Sequence, residues 1–271
     1  MTAPRALVLR TAGTNCEVET GRALALSGAA VETLHFDRLL EDPARLDGAA
    51  IVVFPGGFSY GDDLAAGRVW GHEVRTHLGS RLSEHVAGGG LVLGVCNGFQ
   101  VLVESGIFEP DRAPEERSIA LYANASNHYE CRWVELEAGD TACPWLTAGE
   151  RMPCPVAHAE GRFVVRDGAA LERLRERRQL ALTYVVEEGP GFDGTGFDGY
   201  PANPNGSVAH VAGLCDPTGR VLGLMPHPER NLDPWSGPAW TRRPAGDRRA
   251  GGEGLAFYRR MVEVASGAPV G

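Results

Sequence analysis

The chain reads as an α/β protein, a doubly wound and mostly parallel sheet with antiparallel strands added to it. Three observations lead there. Short, wholly apolar runs such as residues 49–54 (AAIVVF) and 91–95 (LVLGV) lack the alternation of a half-exposed strand. A parallel strand covered on both faces has that character. These runs alternate with helix-like segments over short connections, the pattern of β-α-β units. Further on, residues 129–137 (YECRWVELE) alternate apolar and polar side chains, as an antiparallel strand with one wet face does.

Taken in order, residues 6–10 (ALVLR) form the first strand and TAGTNC the loop after it. A helix over 17–26 follows, with Asn15 as its expected cap. Residues 30–34 are the second strand, and HFDRLLEDPARLDG is a connection with helical character. The third strand, 49–54, is stopped by Pro55, Gly56 and Gly57. A glycine-rich stretch, FSYGDDLAAGRVWG, leads into a helix predicted over 73–87, which ends at Gly88-Gly89-Gly90. The strand 91–95 then turns sharply at Cys96 into a helix.

After Gly106 come further strands: 129–137, a strand-like stretch within 152–165, 180–186 and 208–215. Residues 189–207 read as a long, flexible loop. A last buried strand, 220–225, runs into PHPER. Residues 231–252, rich in Pro, Gly, Arg and Trp, read as an irregular insert, and 253–266 as a closing amphipathic helix. No repeat and no composition break divides the chain, so residues 1–271 are expected to be one domain.

A net charge of −9 gives no electrostatic support to a nucleic-acid role. No apolar run reaches the roughly 20 residues of a membrane span, and the N-terminus lacks the apolar core of a signal peptide. Six cysteines, at 16, 96, 131, 143, 154 and 215, form no C-x-x-C pair. That spacing suits neither a zinc ribbon nor a disulfide scaffold. The chain is therefore expected in a reducing cytoplasm, with no metal site; Cys131, Cys143, Cys154 and Cys215 are expected to be structural.

Three stretches carry chemistry. Gly94-Val95-Cys96-Asn97-Gly98 is the cysteine form of the strand-to-helix turn that lifts a nucleophile above a sheet. The helix behind it aims free N–H groups and a positive dipole end at the sulfur, which favours the thiolate. In Pro226-His227-Pro228-Glu229, Pro228 biases His227 towards extended backbone. Residues two apart in extended chain share a side, so Glu229 is expected to orient the His227 imidazole. Cys96, His227 and Glu229 then make nucleophile, base and orienter. Pro55-Gly56-Gly57 ends a strand on the same edge, where its backbone N–H groups and that of Asn97 could form an oxyanion hole.

These stretches, as FPGGFSYGDD, GVCNGFQVL and GLMPHPER, resemble the class I, triad-type glutamine amidotransferases, whose sheet is flavodoxin-like. GTNCEVE, ECRWVEL, AHAEGRF and YPANPNGS narrow the resemblance to the glutaminase subunits of phosphoribosylformylglycinamidine synthase, over nearly the whole chain. The resemblance implies that Cys96 attacks the carboxamide of glutamine and that Gly57 and Asn97 hold the oxyanion. It implies a γ-glutamyl thioester hydrolysed through His227, with Gly56 and Gln100 at the bound substrate. The ammonia would pass to a separate synthetase subunit, with a small accessory subunit, which uses ATP and Mg²⁺ to convert formylglycinamide ribonucleotide to its amidine in purine synthesis. No cofactor is expected on this chain, which has no G-x-x-x-x-G-K-[ST] loop. Asn15, Cys16 and Glu17, at the end of the first strand, are candidates for the ammonia exit or the partner interface, as is His158. Two other readings stand beside this one: a cysteine hydrolase of similar fold with another substrate, and a catalytically silent regulatory subunit.

Overall fold

The structure, a computed structural model, describes residues 2–186, 199–244, 246 and 251–267. Its main sheet begins with five parallel strands. In spatial order these are β2 (Ala30–His35), β1 (Arg5–Arg10), β3 (Ile51–Phe54), β4 (Leu91–Val95) and β11 (Val221–Leu224). Four antiparallel pairings carry the sheet on through β10 (Val211–Cys215), β9 (Leu180–Tyr184), β6 (Glu130–Ala138) and β7 (Arg151–His158). The expected mostly parallel, doubly wound sheet with antiparallel additions is thus the observed one.

Helices cover both faces. From β1, helix α1 (Glu17–Leu26) carries the chain to β2, in one direction along the sheet. From β3, helices α3 (Arg68–Glu73) and α4 (Gly79–Ala87) carry it to β4, in the other. Right-handed crossovers in opposite directions put the two groups on opposite faces. The short α2 (Phe36–Glu41) follows β2, and α5 (Asn97–Ser105) packs beside α3 and under β3 and β4. Between the layers every residue of β3, β4 and β11 is buried, which is why these strands show no alternation in the sequence.

The helix predicted over 73–87 starts earlier, at Arg68, and passes through a wide turn at Val74–Leu78 before α4. Its glycines read as loop residues, but they serve a close helix crossing. A Cβ at Gly71 would stand 2.8 Å from the carbonyl oxygen of Val101 on α5. The stretch 152–165 is two strands rather than one. β7 ends at His158, and β8 (Glu160–Val165) leaves the main sheet to pair with β5 (Ile119–Ala123) in a separate two-stranded sheet. The break falls beside Gly161, whose φ of +157° lets the chain turn where the Met225 side chain fills the space a Cβ would take.

Helix α6 (Gly168–Glu176) was not foreseen. Asp167 caps it, accepting the Ala170 N–H at 2.7 Å, and only Ala170 and Leu174 are buried, so its apolar pattern is thin. The closing helix is α7 (Glu253–Ala265). In the insert before it, Trp240–Arg242 makes one 3₁₀ turn, while Arg248 and Arg249 lie outside the described residues. Of the expected loop 189–207, residues up to 198 also lie outside them. Among the described residues no helix is long and apolar enough to cross a membrane.

Candidate active site

The site follows from one strand pairing. β4 and β11 are parallel neighbours with Gly94 opposite Gly223 and Val95 opposite Leu224. Both chains therefore leave the sheet at the same edge, and the Cys96 N–H donates to the Leu224 carbonyl at 2.8 Å. Cys96 has φ +51° and ψ −108°, a conformation that costs a side-chain-bearing residue of order 1–3 kcal/mol. Tight packing holds it there. A Cβ at Gly98 would fall 1.8 Å from the Phe54 carbonyl oxygen, and one at Gly94 would fall 2.6 Å from that of Gly98. The sulfur sits at the start of α5, where the first N–H groups have no partner within the helix. Asn97 is the first helical residue, so its N–H is among these free donors.

From the neighbouring strand come His227 and Glu229. The His227 N–H donates to the Pro155 carbonyl at 2.8 Å, which ties this turn to β7. His227, at φ −110° and ψ 84°, keeps out of the helical region that its proline successor disfavours, but it is not the fully extended residue expected. Pro228–Arg230 is a 3₁₀ turn, however, so the two side chains meet across a turn and not by strand alternation. Nδ1 of His227 lies 2.6 Å from Oε1 of Glu229, and both residues are 2 % exposed. Burial opposes a charge on His227. The Glu229 carboxylate, the Cys96 sulfur and the Cys16 sulfur outweigh it and raise the imidazole well above its ordinary range. Nε2 of His227 and Oε2 of Glu229 are buried without a hydrogen-bond partner among the described residues.

The loop after β1 folds onto the Pro55-Gly56-Gly57 turn. Asn15 and Cys16 donate their N–H groups to the Gly56 carbonyl at 3.3 and 3.1 Å, and Phe58 donates to that of Gly13 at 2.9 Å. Gly57 has φ +151°, and a Cβ there would press on Thr14 Cα at 2.7 Å. A Cβ at Gly56 would lie 2.9 Å from His227 Cε1 and 3.0 Å from Cys16 Sγ. Both glycines are thus fixed by contact with the site.

Asn15 does not cap α1. Cys16 occupies the cap position without a side-chain cap bond, and Asn15 Oδ1 instead accepts from the Cys16 thiol at 3.2 Å. Cys16 is 1 % exposed, and Arg230 donates to its sulfur at 3.1 Å. Burial pushes the Cys16 thiol up, against the lowering effect of the His227 side chain. Sequence reasoning did not place Cys16 against His227; the only signal was that both lie at strand ends on one edge. It also missed Arg230, although that residue belongs to the PHPER run. Glu17, half-buried, begins α1.

Gln100 is buried, and its amide is engaged. Nε2 donates to the Glu160 carbonyl at 2.9 Å, and Oε1 accepts from Asn97 Nδ2 at 3.1 Å. Asn97 also accepts the Ser59 N–H at 3.1 Å, which pins the loop after Gly57 to the head of α5. His158, 3 % exposed, pairs Nδ1 with Asn124 Oδ1 at 3.1 Å. Burial and the nearby His227 charge lower it to about 3, so it is neutral at physiological pH. Cys143, Cys154 and Cys215 are buried as expected of structural thiols, but Cys131 is exposed.

The arrangement brings a sulfur, an imidazole paired to a carboxylate, and backbone donors together at one end of the sheet. The sequence profile of the CobB/CobQ-like glutamine amidotransferase domain matches residues 3–263. The chain is 40% identical over 230 residues to a phosphoribosylformylglycinamidine synthase subunit PurQ from Methanococcus maripaludis, covering 84% of this chain and 83% of that one. To the PurQ subunit of Dehalococcoides mccartyi it is 39% identical over 266 residues, 98% of this chain and 99% of the other. Among solved structures, a chain of PurLQS from Thermotoga maritima superposes with a TM-score of 0.68 at 28% identity, over 96% of this chain and 97% of that chain. The chain belongs to the CobB/CobQ-like glutamine amidotransferase family and, within it, to the PurQ subunits of phosphoribosylformylglycinamidine synthase.

Proposed function

We propose that this chain hydrolyses glutamine to glutamate and ammonia on the Cys96–His227–Glu229 triad and delivers the ammonia to a synthetase partner. The observation that carries the assignment is the strained Cys96 at the head of α5 facing a buried imidazole paired to Glu229 at 2.6 Å. His227 takes the Cys96 thiol proton as the sulfur attacks the side-chain carbonyl carbon of glutamine. The oxyanion that forms is held by the N–H groups of Gly57 and Asn97. The His227 imidazolium gives its proton to the departing nitrogen, and ammonia leaves a γ-glutamyl thioester on Cys96. His227 then takes a proton from water, which attacks the thioester and releases glutamate. Glu229 keeps the ring in one tautomer and balances its charge. Gly56 lies against His227 at the floor of the substrate position. Gln100, on the first turn of α5 after Cys96, is the residue expected to contact the bound glutamine.

The ammonia has a use only beside an acceptor. The assembly named PurLQS contains a chain of this fold, and its name supports a synthetase and a small third subunit as the partners. On this reading ATP and Mg²⁺ belong to the synthetase, which makes the amidine of formylglycinamide ribonucleotide, in the cytoplasm. The Asn15–Glu17 loop and His158 border the way from the triad towards that partner.

Ammonia release from glutamine, measured with and without the synthetase, tests the proposal. Weak release alone and stronger release in the complex are expected. An electrophilic glutamine analogue should add its mass to Cys96, and Cys96→Ser should abolish both labelling and glutamate production. Labelling elsewhere, or turnover that survives the serine, would overturn the assignment.

A further inference from the structure

Away from the triad, two arginines line one pocket with no acid between them. Arg75 stands on the wide turn between α3 and α4, and Arg117 lies over the C-terminal end of α5. With Arg112, Ser105 and the apolar Leu82 and Ile107 they border a space of about 190 Å³. We propose that this pocket is a binding site for a phosphate dianion, carried by a small phosphorylated metabolite or free in solution.

Neither Arg75 nor Arg117 forms an ion pair among the described residues. Arg75 donates to His72 Nδ1 at 2.8 Å, and Arg117 donates to the carbonyls of Glu104 and Ser105 at 2.7 and 2.9 Å. The nearby acids are committed elsewhere. Glu109 accepts from Ser118 and lies 3.4 Å from Arg112, and Glu104 faces Arg68 at 3.9 Å. Two positive charges are left uncompensated, which a dianion would balance. Burial and the Arg75 charge both lower the Arg117 pKa from its ordinary value, so an anion between the two would relieve a real repulsion. Donors are also to spare. Arg117 Nε is buried without a hydrogen-bond partner among the described residues. A guanidinium carries five N–H groups in a planar fork that matches phosphate oxygens. Backbone holds Arg117 in place. Gly106 has φ +86°, and a Cβ there would fall 2.0 Å from Arg117 Nη2, so the guanidinium rests on bare chain. Arg117 also covers the last carbonyls of α5, so an anion meets a cation and not the negative end of the helix dipole. The volume is below the roughly 300 Å³ at which pockets for larger ligands begin, so the occupant is small. Helix α5 separates the pocket from Cys96 by its whole length, about 13 Å, which makes this a site apart from the triad.

Isothermal titration calorimetry of the full-length protein at low salt tests this, with inorganic phosphate and ribose 5-phosphate as probes and ribose as the neutral control. Saturable binding of one phosphate group per chain is expected, and the tighter probe tells a phosphorylated sugar from free phosphate. Ribose should give only the heat of dilution. Arg75→Gln should raise the Kd about tenfold, the worth of one charge-assisted hydrogen bond. Arg75→Glu should abolish binding, with circular dichroism showing both variants folded. Arg38→Gln, on the exposed side of α2, should leave the Kd unchanged. No saturable binding of either probe, or a Kd indifferent to both Arg75 variants, would overturn the proposal. The heats do not depend on glutamine turnover, so failure of this site and failure of the glutaminase assignment are told apart.

Discussion

Two histidines in one site are pushed in opposite directions, and each makes its own prediction. His227 keeps its charge in the interior because Glu229 and two sulfurs surround it. Its folded pKa is raised, so the stability it contributes is complete below pH 6.5 and is lost as pH climbs through the raised value. Glu229→Gln should therefore move the alkaline limit of activity to lower pH and cut kcat roughly 10²–10⁴-fold, read from a pH–rate profile. His158 is the reverse case. Its folded pKa, about 3, lies below the unfolded value of 6.5, so stability is full above 6.5 and falls as pH drops between the two. The ceiling of that loss is about 5 kcal/mol. His158→Gln should flatten the acid limb of a urea-unfolding series even if it lowers stability at pH 7. A limb that stays as steep would assign the acid loss to other groups.

Elements explain which residues could be read in advance. The elbow, the P-G-G turn and the P-H-P-E run each lie within a few consecutive residues, so their chemistry shows in the string itself. Cys16 beside His227 does not, because it depends on how the loop after β1 drapes over Gly56. The fold class was legible from the uniform burial of β3, β4 and β11. The turn at Ala159 was not, since residues on both sides of it have strand character and the positive φ of Gly161 beside Met225 shows only in three dimensions. Helix α6 escaped because two buried residues make no visible stripe. At the elbow, Gly98→Ala sets a methyl against the Phe54 carbonyl, backbone against backbone, where neither can yield. We expect a loss above about 3 kcal/mol in chemical denaturation, or no folded protein. A substitution at Gly28, where a Cβ meets nothing within 4 Å, should cost only the strain of its positive φ.

At the scale of the molecule, the closing helix supports the base. Gly254 donates to the Asn231 carbonyl at 2.9 Å, and Asn231 bridges Pro153 on β7 and Glu253 on α7. Helix α7 packs against both the Pro228–Arg230 turn and α1, so it clamps the His227 and Cys16 loops together. Removing residues from 253 onward should lower the melting temperature and abolish glutaminase, and Asn231→Ala should weaken kcat more than KM. A truncated chain with full turnover would show that the helix does not position the imidazole.

The pairing of β4 with β11 also has a consequence for biosynthesis. During translation the sulfur emerges about 130 residues before its acid–base partner, and the slot beside β4 stays unfilled until one of the last strands arrives. A nascent chain stalled upstream of residue 220 exposes an open hydrogen-bonding edge and a thiol with nothing to govern it. Ribosome-bound intermediates should accordingly be held by chaperones and react indiscriminately with alkylating agents. Selectivity for an amide would appear only once residues 220–229 have joined the sheet beside β4.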